Sequence, residues 1–185
     1  MVDGKLNVSA RSAEEAAQKF LHEHGHDLFD LSTNQFTKTQ VTPETETTQI
    51  IYEQSLNGLN VFGSRINLIV NSSNELIFAS SEAASSEAQK DLPNKPKVSK
   101  DSAAVTARNA LFIQLSRDGI SMDGSSMPVS FFSESGDLVY WLRSGNTTLV
   151  YKFTIVLPKP KIGEYEIEVD AINGTVLRVQ KLSIN

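Results

Sequence analysis

The sequence predicts an α+β fold of two lobes, each a helix packed on an antiparallel β-sheet. Three observations point there. One helical stripe followed by several alternating runs occurs twice along the chain. A stretch holding Pro93 and Pro96, with few large apolar residues, separates the two occurrences. Short Gly turns, among them Asn57-Gly58 and Asn173-Gly174, join neighbouring alternating runs as antiparallel hairpins require.

The first helix opens at Ser12, whose hydroxyl with Glu15 three residues on fits a capping box. Ala13, Ala16, Ala17, Phe20, Leu21 and His24 follow at helical spacing, and Gly25 is the expected stop. The period then changes to two. Ile50–Ser55 reads as a strand, Leu56-Asn57-Gly58-Leu59 as a hairpin turn, and Val61–Val70 as the returning strand. The polar turn Asn71–Asn74 leads to a further strand over Glu75–Ser80. Residues 81–100 read as a connection rich in Ser, Ala, Lys and Glu. A second helix is expected over Lys100–Ser116, ended by Asp118-Gly119. Strands follow at Val129–Phe132, Leu138–Arg143, Leu149–Leu157, Tyr165–Ala171 and Thr175–Leu182, with turns at Ser135–Asp137, Ser144–Asn146 and Ile172–Gly174. Tyr140 and Trp141 are adjacent in one alternating strand, so one is expected in the core and the other exposed. The domain limits expected are 8–84 and 100–185, with 85–99 as linker.

Bulk composition narrows the function. At 185 residues and 39% hydrophobic, the chain can bury one large core or two small ones. A net charge of −5 with scattered Lys and Arg argues against a nucleic-acid partner. The apolar run around Thr147–Leu157 is too short for a helical membrane span. Without Cys, disulfides, thiolate metal sites and a Cys nucleophile are excluded. Met1–Lys5 lacks an apolar signal core, so a signal peptide is expected to be absent or already removed.

Two hairpins carry a family resemblance. Tyr52-Glu53-Gln54-Ser55-Leu56-Asn57-Gly58-Leu59-Asn60-Val61-Phe62-Gly63 resembles the hairpin of fungalysin/thermolysin propeptide domains. Tyr165–Leu177, with Val169-Asp170-Ala171 ahead of Asn173-Gly174, resembles the closing hairpin of a PepSY domain. Leu138–Leu142 and Leu149–Phe153 suit that domain's central strands. Ile50-Ile51 stands where the family often has a basic residue, and Glu53 replaces its first Gln. The resemblance implies a non-catalytic propeptide of a secreted thermolysin-like zinc metalloprotease, acting in cis or after autoprocessing. Such a module assists folding of the protease and inhibits it, its carboxy-terminal segment lying in the active cleft. A free-standing secreted or cell-surface inhibitor with the same domains is the alternative. Partner contact is expected at Val61, Phe62 and Gly63 and at Lys181, Leu182, Ser183, Ile184 and Asn185. Tyr52, Gln54, Gly58, Asp170, Ala171 and Gly174 are the motif residues with a structural role. No cofactor or metal is expected.

A zinc-enzyme reading competes with this. His22-Glu23-His24-Gly25-His26 satisfies H-E-x-x-H, and Glu44 or Glu46 follows at third-ligand distance in the chain. The helix stop expected at Gly25 would break the i, i+4 face that the motif needs, and Thr42–Thr47 reads as a polar turn without a helix around it. No Gly-x-Ser-x-Gly elbow exists, and all three His fall within five residues, which speaks against a Ser-His-Asp triad. Asp170 is expected to cap its turn rather than act as an acid.

Overall fold

The computed structural model describes residues 2–6, 10–30, 36–85, 87–89, 91–120, 135–157 and 163–182. It is an α+β fold with two compact units, Met1–Leu92 with Tyr140–Thr147, and Pro93–Val139 with Thr148–Asn185.

In the first unit, helix α1 spans Ala13–Phe29. Its opening follows from side-chain chemistry. The Ser12 hydroxyl accepts from the Glu15 amide at 3.2 Å, and the Glu15 carboxylate accepts from the Arg11 amide at 2.8 Å. That backbone bond, ahead of nearby Lys19 and Arg11, holds the Glu15 carboxyl below its ordinary value. Ala16, Ala17, Phe20 and Leu21 are buried against the strands. The helix does not stop at Gly25. It continues to Phe29, with Asp30 closing it in the left-handed region at φ 54°. Gly in a helix interior costs about 1 kcal/mol relative to Ala. The edge-on packing of Phe29 on Phe20, at 6.2 Å, spans Gly25 and holds the last turn in place.

Strands β1 (Val2–Leu6), β2 (Phe36–Pro43), β3 (Thr47–Leu56), β4 (Leu59–Phe62), β5 (Ile66–Asn71) and β6 (Leu76–Ser81) surround β3 and β5. β3 pairs antiparallel with β2, β4 and β5, and β6 pairs antiparallel with β5 and β1. Ile50, Tyr52, Ile66, Leu68, Val70, Leu76 and Ala79 give the sheet's apolar face to α1. The single strand expected over Val61–Val70 is two strands. Gly63 adopts φ 86°, which turns the chain between β4 and β5. β2 falls where only the Pro43 turn was expected. Its Thr-rich stretch is exposed on both faces, so the hydrophobic alternation that marks a strand is missing.

In the second unit, α2 spans Lys100–Arg117, capped by Ser99, whose hydroxyl accepts from the Ser102 amide at 3.2 Å. Ala103, Ala104, Ala107, Leu111 and Leu115 form its buried face, which packs on β9 and β10. Strands β8 (Asn146–Leu157), β9 (Gly163–Asp170) and β10 (Val176–Leu182) are antiparallel in that order. Strand β7 spans Ser135–Arg143, so the Ser135–Asp137 segment expected as a turn begins the strand. Gly136 is buried there, and a Cβ on it would meet the Phe153 ring. The ends of β7 and β8 around their shared turn, Tyr140–Thr147, belong to the first unit. There Tyr140 and Trp141 pair in parallel with Val61 and Phe62 of β4. The strand expected at Val129–Phe132 lies outside the described residues.

Register gives the second unit's sheet two different faces. Tyr151, Phe153 and Ile155 of β8 sit opposite Val169, Ile167 and Tyr165 of β9, making an apolar face. On the other face Lys152 and Thr154 lie opposite Glu168 and Glu166, and Arg178 of β10 lies opposite Glu168.

Candidate interaction site

The hairpin from β3 to β4 is closed by Asn57 (φ 51°) and Gly58 (φ 79°), both left-handed as a two-residue primed turn requires. Asn57 donates to the Tyr140 hydroxyl at 2.9 Å, so the tip is fastened as well as folded. Gln54, on the arm leading into this turn, is buried. Its Nε2 donates to the Ala84 carbonyl at 3.2 Å and its Oε1 accepts from the Ala84 amide at 2.9 Å. A side-chain amide thereby takes the place of a paired strand residue, which is why Gln suits this position. Ser64 donates to the same Oε1, and Gln89 donates to the same Ala84 carbonyl at 2.8 Å.

Of the expected contact residues here, Val61 is buried in the core, Phe62 is half-buried and Gly63 is exposed. A Cβ on Gly63 would lie 2.9 Å from the Leu142 carbonyl oxygen, a backbone atom that cannot rotate away. Beside Gly63 opens a cleft of about 470 Å³ lined by Glu82, Ala83, Ser85, Leu142 and Ser144. Neither aromatic of β7 is exposed: Tyr140 is fully buried and Trp141 is 8% exposed. The outer face of Trp141 is covered by the Arg143 guanidinium, 5.3 Å from the ring centre. Strand alternation therefore failed to separate the two. On the α1 side, Tyr52 is buried, which raises its hydroxyl pKa, with Glu14 adding to the shift.

The hairpin from β9 to β10 is built on a carboxylate. Asp170 Oδ1 accepts from the Ile172 and Asn173 amides at 2.7 and 3.1 Å, and Oδ2 accepts from Asn173 Nδ2 at 3.0 Å. Asp170 is thus a turn cap. Gly174 holds φ 77° and donates its amide to the Asp170 carbonyl. Ala171 is fully buried, its carbonyl accepting from the Lys97 and Val98 amides at 2.8 and 3.0 Å. Tyr151 donates to the Val98 carbonyl at 3.1 Å, so the approach to α2 is pinned to this turn. Burial raises the hydroxyl pKa of Tyr151, and of Tyr165, where Asp118 adds to the effect.

Beyond the turn, the polar face of β8–β10 carries an ion-pair ladder. Lys152 Nζ sits 2.7 Å from Glu166, and Arg178 Nε donates to Glu168 at 2.7 Å. Arg178 Nη2 bridges Glu166 and Glu168. Two cations meet two carboxylates, of which Glu168 is fully buried. The hydrogen bonds to Glu168 raise the Arg178 pKa above its ordinary value against the opposing effect of burial. The period-two spacing of Glu164, Glu166 and Glu168 is the sequence signal for this face, and it does not name the cations. Lys181 is exposed and Leu182 half-buried at the end of β10. Ser183, Ile184 and Asn185 lie outside the described residues.

The histidine motif is placed differently from expectation. α1 is continuous through His22, His24 and His26, so no helix break at Gly25 interrupts the motif. His22 and His26 are exposed, while His24 is half-buried with its ring 5.6 Å from that of Phe20. Glu44 and Glu46 lie in the turn between β2 and β3. Among the described residues, no three His, Cys, Asp or Glu side chains gather where they could hold a metal. No helix among them is long and apolar enough to cross a membrane.

No family model and no curated protein sequence matches this chain. Among solved structures, the YpeB C-terminal domain of Bacillus megaterium is similar at 17% identity and a TM-score of 0.42, covering 98% of this chain and 69% of that one. A candidate lipoprotein of Clostridium difficile 630 is similar at 14% identity and a TM-score of 0.28, covering 91% of each chain. At these scores neither likeness decides family or function.

Proposed function

We propose that the chain is a non-catalytic regulatory module of the propeptide type, which assists the folding of a secreted thermolysin-like metalloprotease and inhibits it. Domains over 8–84 and 100–185, joined by 85–99, make up the module. One observation supports this reading above the others. Both hairpins that carry the sequence resemblance are formed, and their polar motif residues serve the fold. Gln54 spends its amide on Ala84 and Ser64, and Asp170 spends its carboxylate on its own turn. Residues used this way shape a surface and leave recognition to what surrounds them. The contacts proposed are Phe62 and Gly63 beside the cleft in the first unit, and the segment from Lys181 to Asn185. Val61 contributes by fixing the strand, since its own side chain is buried.

The test is inhibition of a purified thermolysin-like protease by the whole chain, with a dissociation constant expected below about 1 μM. A chain truncated before Lys181 should inhibit at least tenfold less well. Absence of inhibition at about ten times that concentration overturns the reading. Equal inhibition by the truncated chain overturns the role of the terminal segment.

A further inference from the structure

We propose that His22 and His26 form a two-imidazole chelate for a divalent first-row transition cation on the outer face of α1. The continuity of α1 through Gly25 makes this possible. Residues four apart on an unbroken helix share a face, with Cβ atoms about 5–6 Å apart. Both imidazoles are exposed, the His26 side chain by 82%. His24, lying between them in sequence, points elsewhere and packs on Phe20.

Two features of the surroundings favour a cation. The Asp27 carboxylate lies 3.5 Å from His26 Nδ1, leaving Nε2 for a metal. The carboxylate's negative charge beside the ring favours a bound cation. His26 also sits in the last turn of α1, where the helix dipole presents partial negative charge. Imidazole nitrogen selects Cu²⁺, Ni²⁺ and Zn²⁺ over Ca²⁺ and Mg²⁺, with Cu²⁺ bound most tightly. With no third His, Cys, Asp or Glu ligand gathered among the described residues, the site differs from a zincin centre. It is an open two-point clip whose remaining positions water fills. A clip that binds only the folded helix stabilises the closing turns by mass action. Metal binding at this pair is independent of any propeptide role.

The experiment titrates the whole chain with NiCl₂, CuCl₂ and ZnCl₂, following bound metal by calorimetry and the melting temperature by circular dichroism. One equivalent is expected, tightest for Cu²⁺, with a rise in melting temperature. His22→Ala and His26→Ala should each weaken Ni²⁺ binding about tenfold or more, because losing one anchor removes the effective concentration of the second. His24→Ala should stay within about twofold of wild type by the same logic. Both altered ligands are exposed, and the metal-free spectrum verifies that each variant is folded. Unchanged binding in either ligand variant overturns the proposal, as does equal weakening by His24→Ala.

Discussion

The β3–β4 and β9–β10 hairpins reverse the chain by different means. The first turns on backbone conformation, with Asn57 and Gly58 both left-handed and nothing near the Gly58 Cβ position. The second also has a left-handed glycine, Gly174, but adds the Asp170 carboxylate, which gathers three hydrogen bonds from Ile172 and Asn173. The difference lies in what each tip must carry. The Asn57-Gly58 tip carries little beyond its bond to Tyr140. The Asp170 turn also anchors Lys97 and Val98 through the Ala171 carbonyl, and a loosened turn releases the approach to α2. A turn that serves as an anchor needs stiffness from side chains, whereas one that only reverses the chain needs the right dihedral angles.

This contrast can be broken at its strongest point with Asp170→Ala. Replacing three bonds to a charged, mostly buried acceptor should cost about 2–3 kcal/mol in urea unfolding. Asp170→Asn should recover part of it. If Asp170→Ala costs under about 0.5 kcal/mol, the turn does not depend on its carboxylate. Gly63→Ala comes next. A left-handed residue with a side chain and a Cβ 2.9 Å from the Leu142 carbonyl should cost about 2 kcal/mol, read from the same transition. The smallest effect belongs to Gly58→Ala, where strain alone acts and space is free, at about 1 kcal/mol. Should Gly58→Ala match Gly63→Ala, the close approach to Leu142 contributes nothing.

Much of the fold is legible in the sequence. Ser12 and Glu15 announce α1, Asp118-Gly119 closes α2, and both hairpin tips carry their turn residues openly. These signals are local, and their chemistry acts within a few residues. β2 was not legible, because its strand character comes from pairing with β3 and not from an apolar face. The proposed sites divide the same way. Gln54 and Asp170 stood out in the sequence, yet Gln54 reaches thirty residues along the chain to Ala84, a partner no local pattern names. Arg178 and Lys152 were likewise hidden as partners of Glu166 and Glu168, because cross-strand register assigns them.

The sequence by itself determined where helices begin, where hairpins turn and which strand faces are apolar, since each depends on near neighbours in the chain. Tertiary structure decided the rest. It carried α1 through Gly25 to Phe29, which packs against the core of the first unit, and it divided the strand expected over Val61–Val70 at Gly63. It also buried both Tyr140 and Trp141 where alternation would expose one. Burial of Tyr140 and Trp141 depends on their pairing with Val61 and Phe62, some eighty residues earlier, and such contacts exist only once the chain is folded.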